Sequence, residues 1–166
     1  IEKGKETAER SDGSYEFVEG DIRNEDLVAS LVGAADYVYH QAARVGVRES
    51  IDAPKEYESV NVNGTLNVLD AALDHDIERI VVASSSSVYG KPEYLPYDEK
   101  HPNSPVSPYA VSKLAQEHYA QTYNELHNLP TVVLRYFTVY GPRMRPNMAI
   151  SNFVSRCLNG NPPIVY

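Results

Sequence analysis

"RIVVASSSSVYG", residues Arg79 to Gly90, decides the fold. Ile80–Val82 is apolar and β-branched, and four serines, Ser84–Ser87, follow at once. A short apolar run closed by turn-forming residues reads as a strand buried on both faces, as strands of parallel sheets are. The flanking patterns are helical. Upstream, Pro54 opens a helix predicted to reach about His75, with Val62, Leu66, Leu69 and Leu73 at core spacing. Downstream, Ser107 can cap a helix and Pro108 suits its first position, and the pattern runs to about His127.

Working outward, "YEFVEGD" suggests a strand near 15–18, "ADYVYH" a buried strand over 37–40, and "PTVVLRYF" a strand over 131–136. "NEDLVASLVG" is a short helix between an Asn24 cap and a Gly33 stop, and a last helix covers about 147–158. "IEKGKETAERSDGS" reads as polar loop, and the segment from Ser87 to Ser107 as a Pro-rich loop. Strands alternating with helices imply an α/β, doubly wound parallel sheet with helices on both faces. Ligands of such sheets gather beyond the carboxyl ends of the strands. Asp21, Gln41–Ala43, Ser84–Ser87 and Tyr136–Thr138 all fall at those ends and should share one crevice.

The chain of 166 residues suffices for one domain with a sizeable core. Its formal charge of −8 argues against a nucleic-acid surface. Cys157 is the single cysteine, so there is no internal disulfide framework and no cysteine-rich metal site. It falls on an apolar helix face and is expected in the core. No metal site is expected. No signal peptide and no apolar run of about 18 residues is seen, so the reading is a cytoplasmic protein without a membrane partner.

Tyr109 and Lys113 lie four residues apart near a helix start, and so share a face. A phenol titrates near about 10, and a close ammonium lowers that value. The pair is either a tuned acid/base or an ordinary surface pair. The serines are either turn formers or a hydroxyl at the ligand edge. Ser, Tyr and Lys in this order form a known reaction set. The serine orients a substrate hydroxyl, the phenolate removes its proton, and the lysine holds the phenolate charged while hydride passes to a nicotinamide. His40, at a strand end, reads as a structural histidine.

The segments "GDIRNEDL" (Gly20–Leu27), "HQAARVGVRES" (His40–Ser50), "NVNGTLNVLDAA" (Asn61–Ala72), "ASSSSVYG" (Ala83–Gly90), "SPYAVSK" (Ser107–Lys113) and "LRYFTVYGPRMRPNMA" (Leu134–Ala149) resemble, in order and spacing, the extended short-chain dehydrogenase/reductase family, and within it the nucleotide-sugar 4-epimerases. The resemblance implies a Rossmann-type sheet and NAD as cofactor. It makes Ser85, Tyr109 and Lys113 the catalytic set. Asp21 and Ile22 match adenine contacts, and Gln41, Ala42 and Ala43 match the loop beside the ribose and phosphates. Asn61 matches a polar residue near the cofactor, or else a backbone bridge. Tyr136 and Phe137 match the strand-end pair near the nicotinamide, with Phe137 alternatively plain core. Thr138 begins the nucleotide-sugar side, where Ser86, Ser87 and Arg145 also fall. Arg143 and Arg145 read as anion ligands or as solvated loop charges. Family members commonly pair as homodimers through the helix from Pro54 and the Tyr109 helix, with Val111, Leu114, Ala115 and His118 outward here.

Two departures shape the reading. The family's opening strand and Gly-rich pyrophosphate turn are missing from this sequence, and it stops at "GNPPIVY" before the substrate-capping segments. Residues 1–166 therefore read as the central part of an NAD(P)-binding domain, with the substrate region starting near 138. Related dehydratases carry Asp-Glu after the catalytic hydroxyl, where Ser86 and Ser87 stand here. Galactose-type epimerases usually have Asn after "RYF", where Thr138 stands here. The expected function is a 4-epimerase that inverts C4 of a UDP-sugar through a 4-keto intermediate, with UDP-glucose/UDP-galactose first. UDP-glucuronate 4-epimerase, a dehydratase or reductase, and a non-catalytic dinucleotide sensor are the alternatives.

Overall fold

The computed structural model describes residues 2–11 and 13–165; the lead-in and domain readings at residues 1, 12 and 166 lie outside the described residues. Strands β1 (Tyr37–His40), β2 (Arg79–Ser85) and β3 (Thr131–Tyr136) form one parallel sheet in the order β1-β2-β3. Tyr37 lies opposite Arg79, and Ile80 opposite Thr131. Their β-branched cores suit this pairing. Helices α1 (Glu2–Arg10) and α2 (Glu25–Val32) precede the sheet. Between β1 and β2 come α3 (Glu49–Asp52), α4 (Pro54–Tyr57), a π-helical stretch Glu58–Asn63, and α5 (Gly64–Asp74). Helix α6 (Pro108–His127) joins β2 to β3, and α7 (Ala149–Leu158) follows.

Each crossover steps one strand in the same direction, and right-handed crossovers then put their helices on one face. Val28 and Val32 of α2, Val68, Leu69 and Ala72 of α5 and Ala120 of α6 pack there against Ile80 and Val82. The alternate residues Tyr37, Tyr39, Val132, Leu134 and Tyr136 remain exposed. The parallel α/β architecture is as the sequence indicates, but the described residues build one wound half of it. Covering both faces requires a reversal of strand order, and this stretch has none. For the same reason β1 is a half-exposed edge strand, not a buried one.

Four further expectations change. Residues 15–18 form no strand, because no described strand pairs with them, and Tyr15, Phe17 and Val18 are exposed. The lead-in is helical: α1 combines good helix formers with Glu2 in its first turn and Arg10 in its last, which suits the helix dipole. The helix from Pro54 is interrupted by the π-helical turn, and Tyr57 before it and Asn61 within it are both buried. Its buried line is Thr65, Val68, Leu69 and Ala72, while Val62, Leu66 and Leu73 are only half-buried. Cys157 is exposed, since no residue of α7 is buried.

Strand β2 ends in a single 3₁₀ turn, Ser86–Tyr89, closed by Gly90 at φ +65°. A Cβ at Gly90 would overlap the Ser104 carbonyl oxygen. Ser104 N–H also donates to Val88 O at 3.0 Å, so the Pro-rich loop is sewn to this turn. Gly90→Ala in the full-length protein is therefore expected to cost about 1–3 kcal/mol of stability. Urea denaturation measures it, and an unchanged midpoint would refute the constraint.

Candidate active site

The carboxyl ends of the three strands and the start of α6 line a crevice of about 700 Å³. Gln41 and Ala43 follow β1, Ser84–Ser87 close β2, Tyr109 and Lys113 come from α6, and Tyr136, Phe137 and Thr138 close β3. Arg143 and Arg145 enter from the segment after β3. The helix start places the pair. Ser107 Oγ accepts from Ala110 N–H at 3.1 Å and Pro108 occupies the first turn, so Tyr109 stands at the crevice and Lys113 one turn deeper.

Lys113 is 3% exposed, and its Nζ donates to Ala83 O at 2.7 Å. Burial pushes its amine down to about 8, and the Glu117 carboxylate pulls in the opposite direction. Ser85 Oγ accepts from Ser87 N–H at 3.2 Å and lies 3.1 Å from Ser87 Oγ, so it both forms the turn and faces the crevice. The Tyr109 ring meets buried Tyr57 nearly at right angles, with centroids 6.2 Å apart. Tyr57 OH donates to Val45 O at 2.9 Å, and the Arg44 guanidinium lies 5.6 Å from the Tyr57 ring centre.

Asn61 does not reach the crevice. It is fully buried; its Oδ1 accepts from Arg44 N–H at 2.7 Å, and its Nδ2 donates to Arg44 O at 3.0 Å and to Ser112 Oγ at 2.9 Å. With both ends engaged it bridges backbone, the second of the two roles its sequence position suggests. Asp21 and Ile22 also lie outside the lining. Asp21 is exposed and paired with Arg23, which lowers its carboxyl to about 2. Ile22 packs against Gly64, and its carbonyl accepts from Asn67. Ala42 is exposed and is not part of the lining.

His40 is structural, as the sequence indicates. Its Nε2 meets Thr65 Oγ1 at 2.8 Å, and Thr65 donates to Asn61 O at 2.5 Å, so Nε2 is assigned the proton. Burial, then nearby Lys113, pushes the imidazole down to about 4. Phe137 lines the crevice and also packs against Tyr89 and Tyr97. Arg143 and Arg145 take part in no ion pair among the described residues. Sequence reading missed Val45, Gly46 and Val47 of the lining, and the supporting residues Tyr57 and Glu117. Glu117 had a visible signal, since it repeats the four-residue spacing of Tyr109 and Lys113.

The folded Lys113 amine, at about 8, holds its proton less tightly than the ordinary amine at 10.5. Its burial therefore destabilises the fold at neutral pH by roughly 3 kcal/mol, and that deficit shrinks only as pH rises through 8 toward 10.5. Lys113→Met is expected to raise the melting temperature of the full-length protein at pH 7, read by calorimetry. A lower value would mean that the bond to Ala83 outweighs desolvation.

The chain matches the NAD dependent epimerase/dehydratase family over residues 2–166. It is 42% identical over 156 residues to the putative UDP-glucose 4-epimerase of Methanocaldococcus jannaschii, covering 91% of this chain and 51% of that protein. A solved UDP-N-acetylglucosamine 4-epimerase from Methanobrevibacter ruminantium M1, in complex with UDP-N-acetylmuramic acid, superposes with a TM-score of 0.83 at 34% identity, over 90% of this chain and 49% of that one. The UDP-glucuronic acid 4-epimerase from Bacillus cereus, in complex with UDP-glucuronic acid and NAD, gives 0.81 at 34% identity, over 98% and 52%. The chain thus spans about half the length of these relatives, and it belongs to the NAD dependent epimerase/dehydratase family.

Proposed function

We propose that the protein is a UDP-sugar 4-epimerase that uses NAD, with UDP-glucose and UDP-galactose as its substrates. The observation that carries this reading is the meeting of Ser85, Tyr109 and Lys113 on one crevice at the carboxyl edge of a parallel sheet. The crevice wall suits the nicotinamide and ribose half of the cofactor. Gly46, at φ +122°, keeps the chain close where a Cβ would press on Glu49 and Tyr57. Lys113 has N–H groups beyond the one given to Ala83 for ribose hydroxyls. Lys113, Tyr109, Gln41, Ala43, Tyr136 and Phe137 would hold that half. When bound, NAD supplies reversible acceptance of hydride.

The chain's own groups handle the proton. Ser85 Oγ orients the 4-hydroxyl, Tyr109 Oη removes its proton and later returns it, and the Lys113 ammonium favours the phenolate. Ser86 and Ser87 offer hydroxyls to the sugar but no carboxyl group to expel water, which disfavours dehydration. A sensor would have no need of the Ser-Tyr-Lys set. A second reading, UDP-glucuronate as substrate, draws on Thr138 and Arg145, whose hydroxyl and cation on the same crevice suit a sugar carboxylate. Incubating the full-length protein with UDP-glucose, UDP-galactose and UDP-glucuronate, then resolving the products, separates the two readings. Conversion of none of them sinks both.

A homodimer completes the proposal. Val62, Val111, Ala115 and Tyr119 line an open groove of about 850 Å³ on the outer side of the Pro54 and Tyr109 helices, and Val111 is 54% exposed. Leu114 is half-buried and His118 is exposed beside it. The full-length protein is expected to sediment as a dimer and its Val111→Glu variant as a monomer; a monomeric wild type would refute the pairing.

Tyr109→Phe should lower the turnover of the full-length enzyme by about 10²–10⁴-fold while leaving NAD bound. In Lys113→Met the residual activity should climb as pH rises toward about 10, the range of an unassisted phenol. Steady-state rates across pH measure both. A Tyr109→Phe enzyme that keeps most of its activity would remove the tyrosine from the chemistry.

A further inference from the structure

We propose that Glu117 is a positioning residue that keeps Lys113 charged and seated in the crevice, and that Arg135 and Ser84 hold Glu117 in place for that role. The inference rests on the reading of Tyr109 and Lys113 as the proton-handling pair. Tyr109, Lys113 and Glu117 stand at i, i+4 and i+8 on α6, and so descend one helix face from the crevice into the protein. Glu117 is 2% exposed. Arg135 binds it in a forked pair, with Nε 3.0 and 3.1 Å from the two carboxylate oxygens and Nη2 2.7 Å from Oε2. Ser84 Oγ donates to its Oε1. Arg135 is fixed in turn, through Nη1 to Glu99 O at 3.3 Å and with its guanidinium 4.9 Å from the Tyr89 ring centre. The cluster therefore pins α6 to β2 and β3 next to Ala83, whose carbonyl receives Lys113 Nζ.

Stability alone does not account for such a cluster. A buried ion pair adds little over apolar side chains of the same volume, because desolvation offsets the attraction. Its charge is explained by what it faces. On α6 the Lys113 amine has Tyr109 and Glu117 as titratable neighbours. From β1 it faces His40, which burial keeps neutral. Strand β2 brings the uncharged Ala83 carbonyl, Ser84 and Ser85. Strand β3 brings Tyr136, with Arg135 set behind Glu117, and the following segment brings Arg143 and Arg145 across the crevice. Helix α3 brings Glu49, beside Gly46 at the crevice, and Glu117 is the carboxylate on the amine's own helix face. Without Glu117 the desolvated ammonium would lose a nearby charge that favours it and would give up its proton at lower pH.

The test uses the full-length protein with ¹³Cε-labelled lysine, followed by NMR across pH, with the Lys113 resonance assigned by its loss in Lys113→Arg. The wild-type midpoint is expected near 8. Glu117→Gln keeps the shape and removes the charge; its midpoint should fall by about one pH unit or more. The alkaline limb of kcat/KM should move down with it, and Glu117→Asp should restore most of the shift. An unmoved midpoint in folded Glu117→Gln makes the cluster mere scaffold and overturns the proposal. If that variant does not fold, Ser84→Ala, which removes a hydrogen bond that holds Glu117, decides: a Lys113 midpoint that falls supports the proposal, and an unmoved one overturns it. The titration needs no substrate. A shifted midpoint without sugar turnover would thus refute the function proposed above and leave this inference standing, whereas turnover with an unmoved midpoint would do the reverse.

Discussion

The side-chain amide of Asn61 joins three segments that are far apart in sequence. It takes Arg44 N–H, gives to Arg44 O, and gives to Ser112 Oγ, which itself donates to Tyr109 O at 2.8 Å. The loop after β1, the π-helical stretch and the first turn of α6 are thereby held in one geometry. A buried amide left without partners is expensive, so these three segments must arrive together or not at all. Asn61 lies inward in the π-helical stretch together with Tyr57 four residues before it, whose hydroxyl grips Val45 and whose ring meets Tyr109. The position of the tyrosine depends on this buried fastening as well as on its own helix start.

The electrostatics run the other way, against the fold. Lys113 and His40 are both buried basic groups driven toward their neutral forms, His40 to about 4 and Lys113 to about 8. At neutral pH the imidazole can be neutral without penalty, and its Nε2–H donates a hydrogen bond to Thr65 Oγ1. The amine retains its charge in a site that resists it. Two neighbouring bases are thus separated in role by how far each can yield, which is a common arrangement where one group must stay charged.

Much of this was legible in the chain. Apolar β-branched runs ending in polar clusters located β2, β3 and the crevice, and Ser107-Pro108 fixed the start of α6 to the residue. What was not legible depended on partners. Residues 15–18 have a strand's alternation, but alternation cannot supply a neighbouring strand. The inward line of the helix from Pro54 runs through Tyr57, Asn61 and Thr65, whose polar groups find buried partners that apolar spacing does not reveal. Asp21 carries the polar character of a site residue, yet its carboxylate is satisfied two residues away by Arg23. Glu117 shares the spacing of Tyr109 and Lys113, but only the packing of Arg135 beneath it gives that spacing a meaning.

The uniform direction of the strand order bears on how this region forms. Each strand pairs with the next one in the chain, and each connecting helix packs on the strands at its own two ends. A chain emerging residue by residue can close β1 onto β2, and then β2 onto β3, without waiting for distant sequence. The parts of the site lie in the same order along the chain: the loop after β1, the serine turn, Tyr109 and Lys113, and last the Arg135 that pairs with Glu117. Until β3 docks, that carboxylate lacks its forked partner, so the third strand completes the electrostatics of the crevice as well as its wall.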